Sequence, residues 1–370
     1  MIKPILTVKN QHKYILIFMI LVFSGFQSGE KANTDIILQD EPLIVTPKEF
    51  YISNVTDRRD DRTAVAWLLP PVAEKNNQPK AYTVDLHGGV VTAVKQFINH
   101  SLPPDRSLRP VIIGIKKLKV IETALAGGRV EGHVLLVLAF DMDSGDDEII
   151  HLTDYNGSAS YNRNAGPAQS IEPILRLALK NGLLYINTWM NQQAGTNIKL
   201  ARSVKVTFTD YEEKPEGDTI YYAADRPLSW NDFQSKIFNS RYDAEVFPTI
   251  GYDERVEVNN GVVNIRLIIK ASLPKSACWV KESSRNAYAL NHEQRHFDIA
   301  KVVADHFKKK IKADNLPVSN FDGTINMEYF DSYREMDNLQ KQYDDETRHG
   351  ANQSAQQSWN ELIDKELGKK

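Results

Sequence analysis

The sequence predicts an α+β protein of two domains, and three observations carry that prediction. Val-, Ile- and Leu-rich runs at 110–122 and 129–140, separated by Gly127-Gly128, read as neighbouring strands of a sheet in the first half. In the second half, strand-like runs at 256–258 and 262–269 flank Asn259-Asn260-Gly261, and Asn-Gly supplies the positive φ angles of a tight hairpin. Beyond residue 290 the apolar residues fall at helical spacing through two long stretches. A chain of 370 residues, 42% hydrophobic and 25% charged, is long enough for two cores. We place an α/β sandwich-like domain at 35–211, a polar linker carrying Pro215 and Gly217 at 212–220, and a second domain at 221–370.

Residues 1–26 differ from the rest. Lys3, Lys9 and Lys13 precede an apolar run that starts at Tyr14, and the small residues Ser24 and Gly25 follow. The run, about 13 residues, falls short of the ~20 that span a bilayer as a helix, so it reads as an export signal, with an uncleaved anchor as the alternative. Export would permit disulfides, but Cys278 is the only cysteine, and between Ala277 and Trp279 it reads as a small buried hydrophobe. The net charge of −3 and the lack of a dense Lys/Arg block argue against a nucleic-acid partner.

Within the first domain, 82–98 reads as a helix despite Gly88 and Gly89. The run 129–140 is apolar on both parities, as in a strand covered on both faces. A third strand is expected at 148–153, a helix at 170–190 packing on the sheet, and a returning strand at 204–209. Asp141, Asp143, Asp146 and Asp147 around Gly145 suggest a calcium loop, but the glycine falls one place early and the closing glutamate is absent, so a solvated hairpin turn is the better reading. His87-Gly88-Gly89 reads as a turn, because no serine in a G-x-S-x-G setting accompanies it.

The chemistry concentrates in His292-Glu293-Gln294-Arg295-His296. Two histidines four apart on a helix stand on one face and can reach one metal ion, most often zinc. Glu293 lies about 100° around the helix, where its carboxylate meets a water rather than the metal. His292, His296, Ile299, Val303 and Phe307 share one face, so the histidines point inward. A second helix from Met327 to about Thr347 carries Phe330, Tyr333, Met336, Leu339 and Tyr343 as its apolar face. Together these features predict a zincin-like domain: a small antiparallel sheet, an active-site helix and a second ligand-bearing helix. A catalytic zinc site usually has three protein ligands. The third comes from 343–350, where His349 beside the helix-ending Gly350 is the first choice, with Glu346 and Asp344 as rivals. His306 reads as a solvated or helix-end histidine, and Trp230 and Trp279 as core. Asp298 either orients a histidine or is solvated.

Residues 226–363 resemble a bacterial family of predicted secreted zinc-dependent proteases. The resemblance rests on the segment Pro227-Leu228-Ser229-Trp230-Asn231-Asp232-Phe233, on Trp279-Val280-Lys281, and on Leu290-Asn291 with the histidine motif and Phe297-Asp298-Ile299. It continues through Tyr343-Asp344, Thr347, His349-Gly350, Gln356 and Trp359. It implies export, zinc at His292 and His296, and Glu293 as the catalytic residue. The preceding domain departs from that family and weakly resembles accessory α/β domains of bacterial envelope lipoproteins at Val55-Thr56-Asp57-Arg58. The expected function is zinc-dependent hydrolysis of peptide bonds in a protein or peptide substrate, with Glu293 as general base, in the periplasm, at the cell envelope or outside the cell. The competing class is a non-catalytic envelope binding or assembly protein with a structural or vestigial metal.

Overall fold

The structure, a computed structural model, describes residues 5–8, 35–70, 80–145, 148–165, 167–213, 216–236 and 240–369. Most of the expected export segment, and two of the four aspartates of the calcium-like loop, lie outside the described residues. No helix among the described residues is long and apolar enough to cross a membrane. The chain is mixed α+β, with several sheets and five α-helices among the described residues, and divides into units 1–194 and 195–370.

The first unit is built on one seven-stranded sheet. Its strands are β1 (Ile5–Val8), β2 (Phe50–Asp57), β3 (Ala66–Leu68), β4 (Tyr82–Val84), β5 (Arg109–Ala124), β6 (Arg129–Asp143) and β7 (Ile149–Asn164). The three long strands form an antiparallel meander, β5-β6-β7, with β1 on the outer edge of β7, while β2 and β3 both run parallel to β5 at different points along it. Helices α1 (Val90–Ser101) and α2 (Glu172–Gln193) pack on β2 and on β6 and β7 respectively. The expected helix at 82–98 is thus a short strand followed by a helix. Gly88 and Gly89, at φ +76° and +84°, hold a left-handed turn that a helix cannot pass through. β6 is covered mainly on one face, since Val130, Val134, Leu136 and Leu138 are buried while Leu135 and Val137 are half-buried. β7 runs far beyond 153 because its polar residues pair along β6. At the far end of the meander the fully buried Glu122 carboxylate accepts from Arg163 (2.7 and 2.9 Å), the Tyr161 hydroxyl (2.7 Å) and the Leu69 backbone N–H (2.9 Å), so this buried charge is fully paired.

The second unit begins earlier than the polar stretch near 212 suggests. β8 (Ser203–Asp210) belongs to it, pairing parallel with the second hairpin strand, so the segment expected to return to the first sheet joins another. Alternating residues in β8 would suit either sheet, and local pattern cannot say which one takes it. After β9 (Thr219–Tyr221) and the two-residue β10 (Ala244–Glu245) come the hairpin strands β11 (Thr249–Asn259) and β12 (Val262–Pro274). Their turn uses Asn260 and Gly261 at positive φ, as expected. β13 (Trp279–Val280) pairs with β10, and α3 (Ala287–Ala313), α4 (Phe321–Thr347) and α5 (Gln353–Glu366) follow.

Helix α3 is the centre of this unit because it is buried on several sides. Ala300, Val303, Ala304, Phe307 and Ile311 join the inward residues of β11 and β12 and α4's Phe321, Ile325 and Met336. Phe297 packs with Leu228, Phe233, Val246, Cys278 and Val280, and Ile299 and Val302 pack with Tyr343, Trp359 and Ile363. Asn286 caps its first turn by accepting from the Ala289 backbone N–H at 3.0 Å. A helix packed on several sides cannot roll, so the direction of each polar side chain at its N-terminal end is fixed.

Candidate metal centre

His292, Glu293 and His296 lie in the first three turns of α3 and are all buried. Their ring planes are set by α4 and α5. Tyr343 stacks on His292 at a centroid distance of 4.8 Å and meets His296 edge-on at 4.8 Å. The His292 Nδ1–H donates to Gln356 Oε1 (2.9 Å), and the His296 Nδ1–H donates to Gln340 Oε1 (2.5 Å). Both amides are held the right way round, because Gln340 Nε2 donates to the His296 carbonyl (2.9 Å) and Gln356 Nε2 to the Tyr343 hydroxyl (2.6 Å). With each Nδ1 carrying the proton, each Nε2 presents a lone pair, and both are aimed at one place.

Asp344 stands at that place. Its Oδ1 is 3.3 Å from His292 Nε2 and 3.1 Å from His296 Nε2, and one donor atom from each of the three residues lies within 4.8 Å of the others. Burial would raise the Asp344 carboxyl pKa, but His292 and His296, which donate to it through Nε2 when protonated, and the nearby positive charge outweigh it and hold the group well below the usual carboxylate range. Burial would lower the His296 pKa, but the pull of Asp344 and Glu293 is larger and the net shift is upward. Each imidazole thus faces the carboxylate through a nitrogen whose lone pair needs a proton or a metal ion. The donor set of two imidazoles and a carboxylate fits a divalent metal, zinc among others.

The other sequence candidates fall around this group. His349 Nδ1 lies 3.2 Å from the same Asp344 oxygen, but the residue is exposed and stands outside the three-residue group. Its backbone is left-handed, as are those of Arg348 and Gly350 (φ 51°, 51° and 83°), and this turn ends α4 and brings Gly350 to the His292 ring. A β-carbon at Gly350 would lie 3.5 Å from that ring on a backbone that side chains rarely adopt. Glu346 points elsewhere and accepts from Trp359 Nε1 at 2.7 Å. Gln340 and Asp344, four apart, share one helix face, whereas Glu346 lies about 160° around the helix from Asp344.

Asp298 is neither a histidine partner nor solvated. It is fully buried and accepts from Tyr222 (2.8 Å), Gln294 (2.9 Å) and Arg295 (2.9 Å). His306 is half-buried and bridges Glu335 (2.7 Å) and Glu366 (3.3 Å). Trp279 is buried, Trp230 packs on the Phe233 cluster, and burial raises the Cys278 thiol to about 11, which makes it inert. The segment at 227–233 caps a short turn through Ser229 and Asp232, and its Leu228 N–H donates to Gln294 beside the histidines (2.7 Å).

Glu293 is the outlier. Its carboxylate is buried, has no hydrogen-bond partner among the described residues, and lines a cleft of about 800 Å³ together with both histidines and Asp344. Burial raises its pKa, and the neighbouring His296 and His292 offset this only in part. A largely buried carboxylate that keeps no protein donor and opens onto a cleft is the kind of group that meets a water, a proton or a ligand.

Gln340 and Gln356, which hold the two histidine rings, are residues to which the sequence assigns no role. Gln340→Leu is expected to weaken zinc or cobalt binding about 10- to 100-fold, the usual effect of losing a residue that orients a ligand. Competition with a chelating dye measures it, and unchanged affinity would show that Gln340 does not hold the ring.

No family model matches the chain, and no curated protein does. Among solved structures, it is similar to a Xanthomonas campestris protein of family DUF330, with 9% identity and a TM-score of 0.26, over 42% of this chain and 94% of that one.

Proposed function

We propose that the second unit is a zincin-like, zinc-dependent hydrolase of peptide bonds, exported by the segment at 1–26, in which His292, His296 and Asp344 hold the metal. The observation that carries the reading is Glu293: a largely buried carboxylate with no hydrogen-bond partner among the described residues, lining a cleft beside two histidines whose tautomers are already set. Zinc bound there supplies a Lewis acid that polarises a carbonyl and lowers the pKa of water. Glu293 takes the proton from the attacking water and returns it to the leaving amine, and the upward push of burial on its pKa favours its holding that proton between the two steps. Gln340 and Gln356 keep both imidazoles in register, and Tyr343 packs against both rings, excluding water from that side.

The test is zinc content together with hydrolysis of an unfolded protein substrate. The expected result is about one zinc per chain and cleavage that a chelator abolishes and added zinc restores. Full zinc loading without cleavage would overturn the proposal in favour of a non-catalytic envelope module with a structural metal.

A further inference from the structure

Helix α4 carries a second feature on the face that bears Asp344. Counting back from Asp344, residues Gln340, Asp337, Tyr333 and Phe330 fall within about 40° of it around the helix. A helix face buried against a core would place large apolar residues under cover, yet Phe330 is 61% and Tyr333 39% exposed, and Met327 beside them is 70% exposed. Phe330 and Tyr333 are two of the residues expected from periodicity to form an inward face. Tyr333 lines the cleft itself, so the exposed stripe continues the site rather than lying apart from it. Two further exposed apolar residues, Phe247 and Tyr288, also line the cleft. Carboxylates prevail: Asp243, Glu245, Asp337, Asp344 and Glu293 line the cleft and, among the described residues, no Lys or Arg lines it, although Lys281 pairs with Asp243 (3.2 Å) and Trp279 donates to Glu245 (3.1 Å). Asp337 has no hydrogen-bond or ion-pair partner among the described residues, so it is available to an incoming cation.

We infer that this face of α4 is a substrate subsite. It takes one extended segment of a polypeptide, with a basic residue lying in the acidic cleft and bulky apolar side chains resting on Tyr333, Phe330 and Met327. The inference deepens the proposed peptidase function and rests on it. From Asp344 to Phe330 the helix rises about 21 Å, the span of roughly six extended residues. The preferred substrate therefore reaches about six residues beyond the cut on one side, and folded proteins without such a free segment are poor substrates. Continuity with the cleft through Tyr333 and the negative charge of Asp337 and Asp344 single out this occupant, because exposed apolar residues beside carboxylates suit a mixed apolar and basic chain.

The experiment uses the full zinc-loaded chain and two unstructured peptides around one cleavage sequence, one ending two residues from the cut and one continuing with lysine near the cut and phenylalanine or leucine beyond. The Phe330→Ser/Tyr333→Ser double variant is expected to lower the long-to-short ratio of kcat/KM about tenfold or more, mainly through KM. Glu293→Gln protein, which is not expected to turn peptide over, should bind the long peptide in fluorescence anisotropy, and the double substitution in that background should weaken binding by a similar factor. An unchanged ratio with unchanged binding would overturn the subsite. So would a change from dimer to monomer on substitution, which would make the face a contact between copies of the chain. Absence of cleavage by the wild-type chain, with peptide binding still lost in the double variant, would sink the peptidase reading and leave the polypeptide-binding face standing.

Discussion

Glu293→Gln is expected to lower kcat about 100- to 10,000-fold, the range a general base supplies, while zinc content stays that of wild type. Glutamine matches the size of glutamate and fills the same space, but it cannot accept the proton of an attacking water. The same substitution has a second effect, of opposite sign, on stability. In the metal-free protein burial raises the Glu293 pKa above its value in the unfolded chain. The folded state therefore holds that proton more tightly. Stability from this group is full below the ordinary carboxyl range and is lost as pH rises through the raised value. At neutral pH the metal-free wild type thus carries the cost of an ionised or reluctantly protonated buried carboxyl, and Glu293→Gln does not. Thermal unfolding of the two chains with chelator present, between pH 5 and pH 8, should show the variant melting higher, with the gap widening as pH rises. A variant that melts lower across that range would mean that the carboxylate has a stabilising partner. A fully active variant would remove Glu293 from the chemistry.

How much of this was legible in the sequence depends on the distance over which each feature is encoded. The histidine pair and Glu293 are local: three residues within five positions, with Ile299, Val303 and Phe307 marking the buried face of the same helix. The hairpin at Asn260-Gly261 is equally local. Gln340 and Gln356 were not legible, because a glutamine has no signature spacing and each meets its histidine across 44 and 64 residues of chain. Helix α5 was missed since Trp359 and Ile363 are its only buried apolar residues in an otherwise polar run. The membership of β8 in the second sheet is likewise a question of tertiary pairing, which alternation along one strand does not encode. Phe330 and Tyr333 show the converse error. Their spacing fits an inward face, but periodicity only says that apolar residues share a side, and here Tyr333 borders a cleft while Phe330 is exposed.

Asp344→Ala is expected to weaken metal binding by more than the roughly 10- to 100-fold that loss of an orienting residue such as Gln340 costs, because it removes a donor outright. The geometry ranks the three residues that the sequence offered. Asp344 Oδ1 is within 3.3 Å of Nε2 of both His292 and His296, His349 meets only that oxygen of the group, and Glu346 turns away to Trp359. His349→Ala should therefore cost less than Asp344→Ala, and Glu346→Ala should leave metal affinity unchanged. In the metal-free chain Asp344→Ala has a further consequence. His296 loses the partner that raises its pKa, so burial prevails and the imidazole becomes easier to deprotonate. Its titration, followed by NMR with chelator present, should move down in Asp344→Ala and stay in place in Glu346→Ala. Zinc titrations of the three variants decide the ranking. An Asp344→Ala chain that binds zinc as tightly as wild type, beside a His349→Ala chain that does not, would transfer the third donor to His349 and leave Asp344 as the residue that orients it.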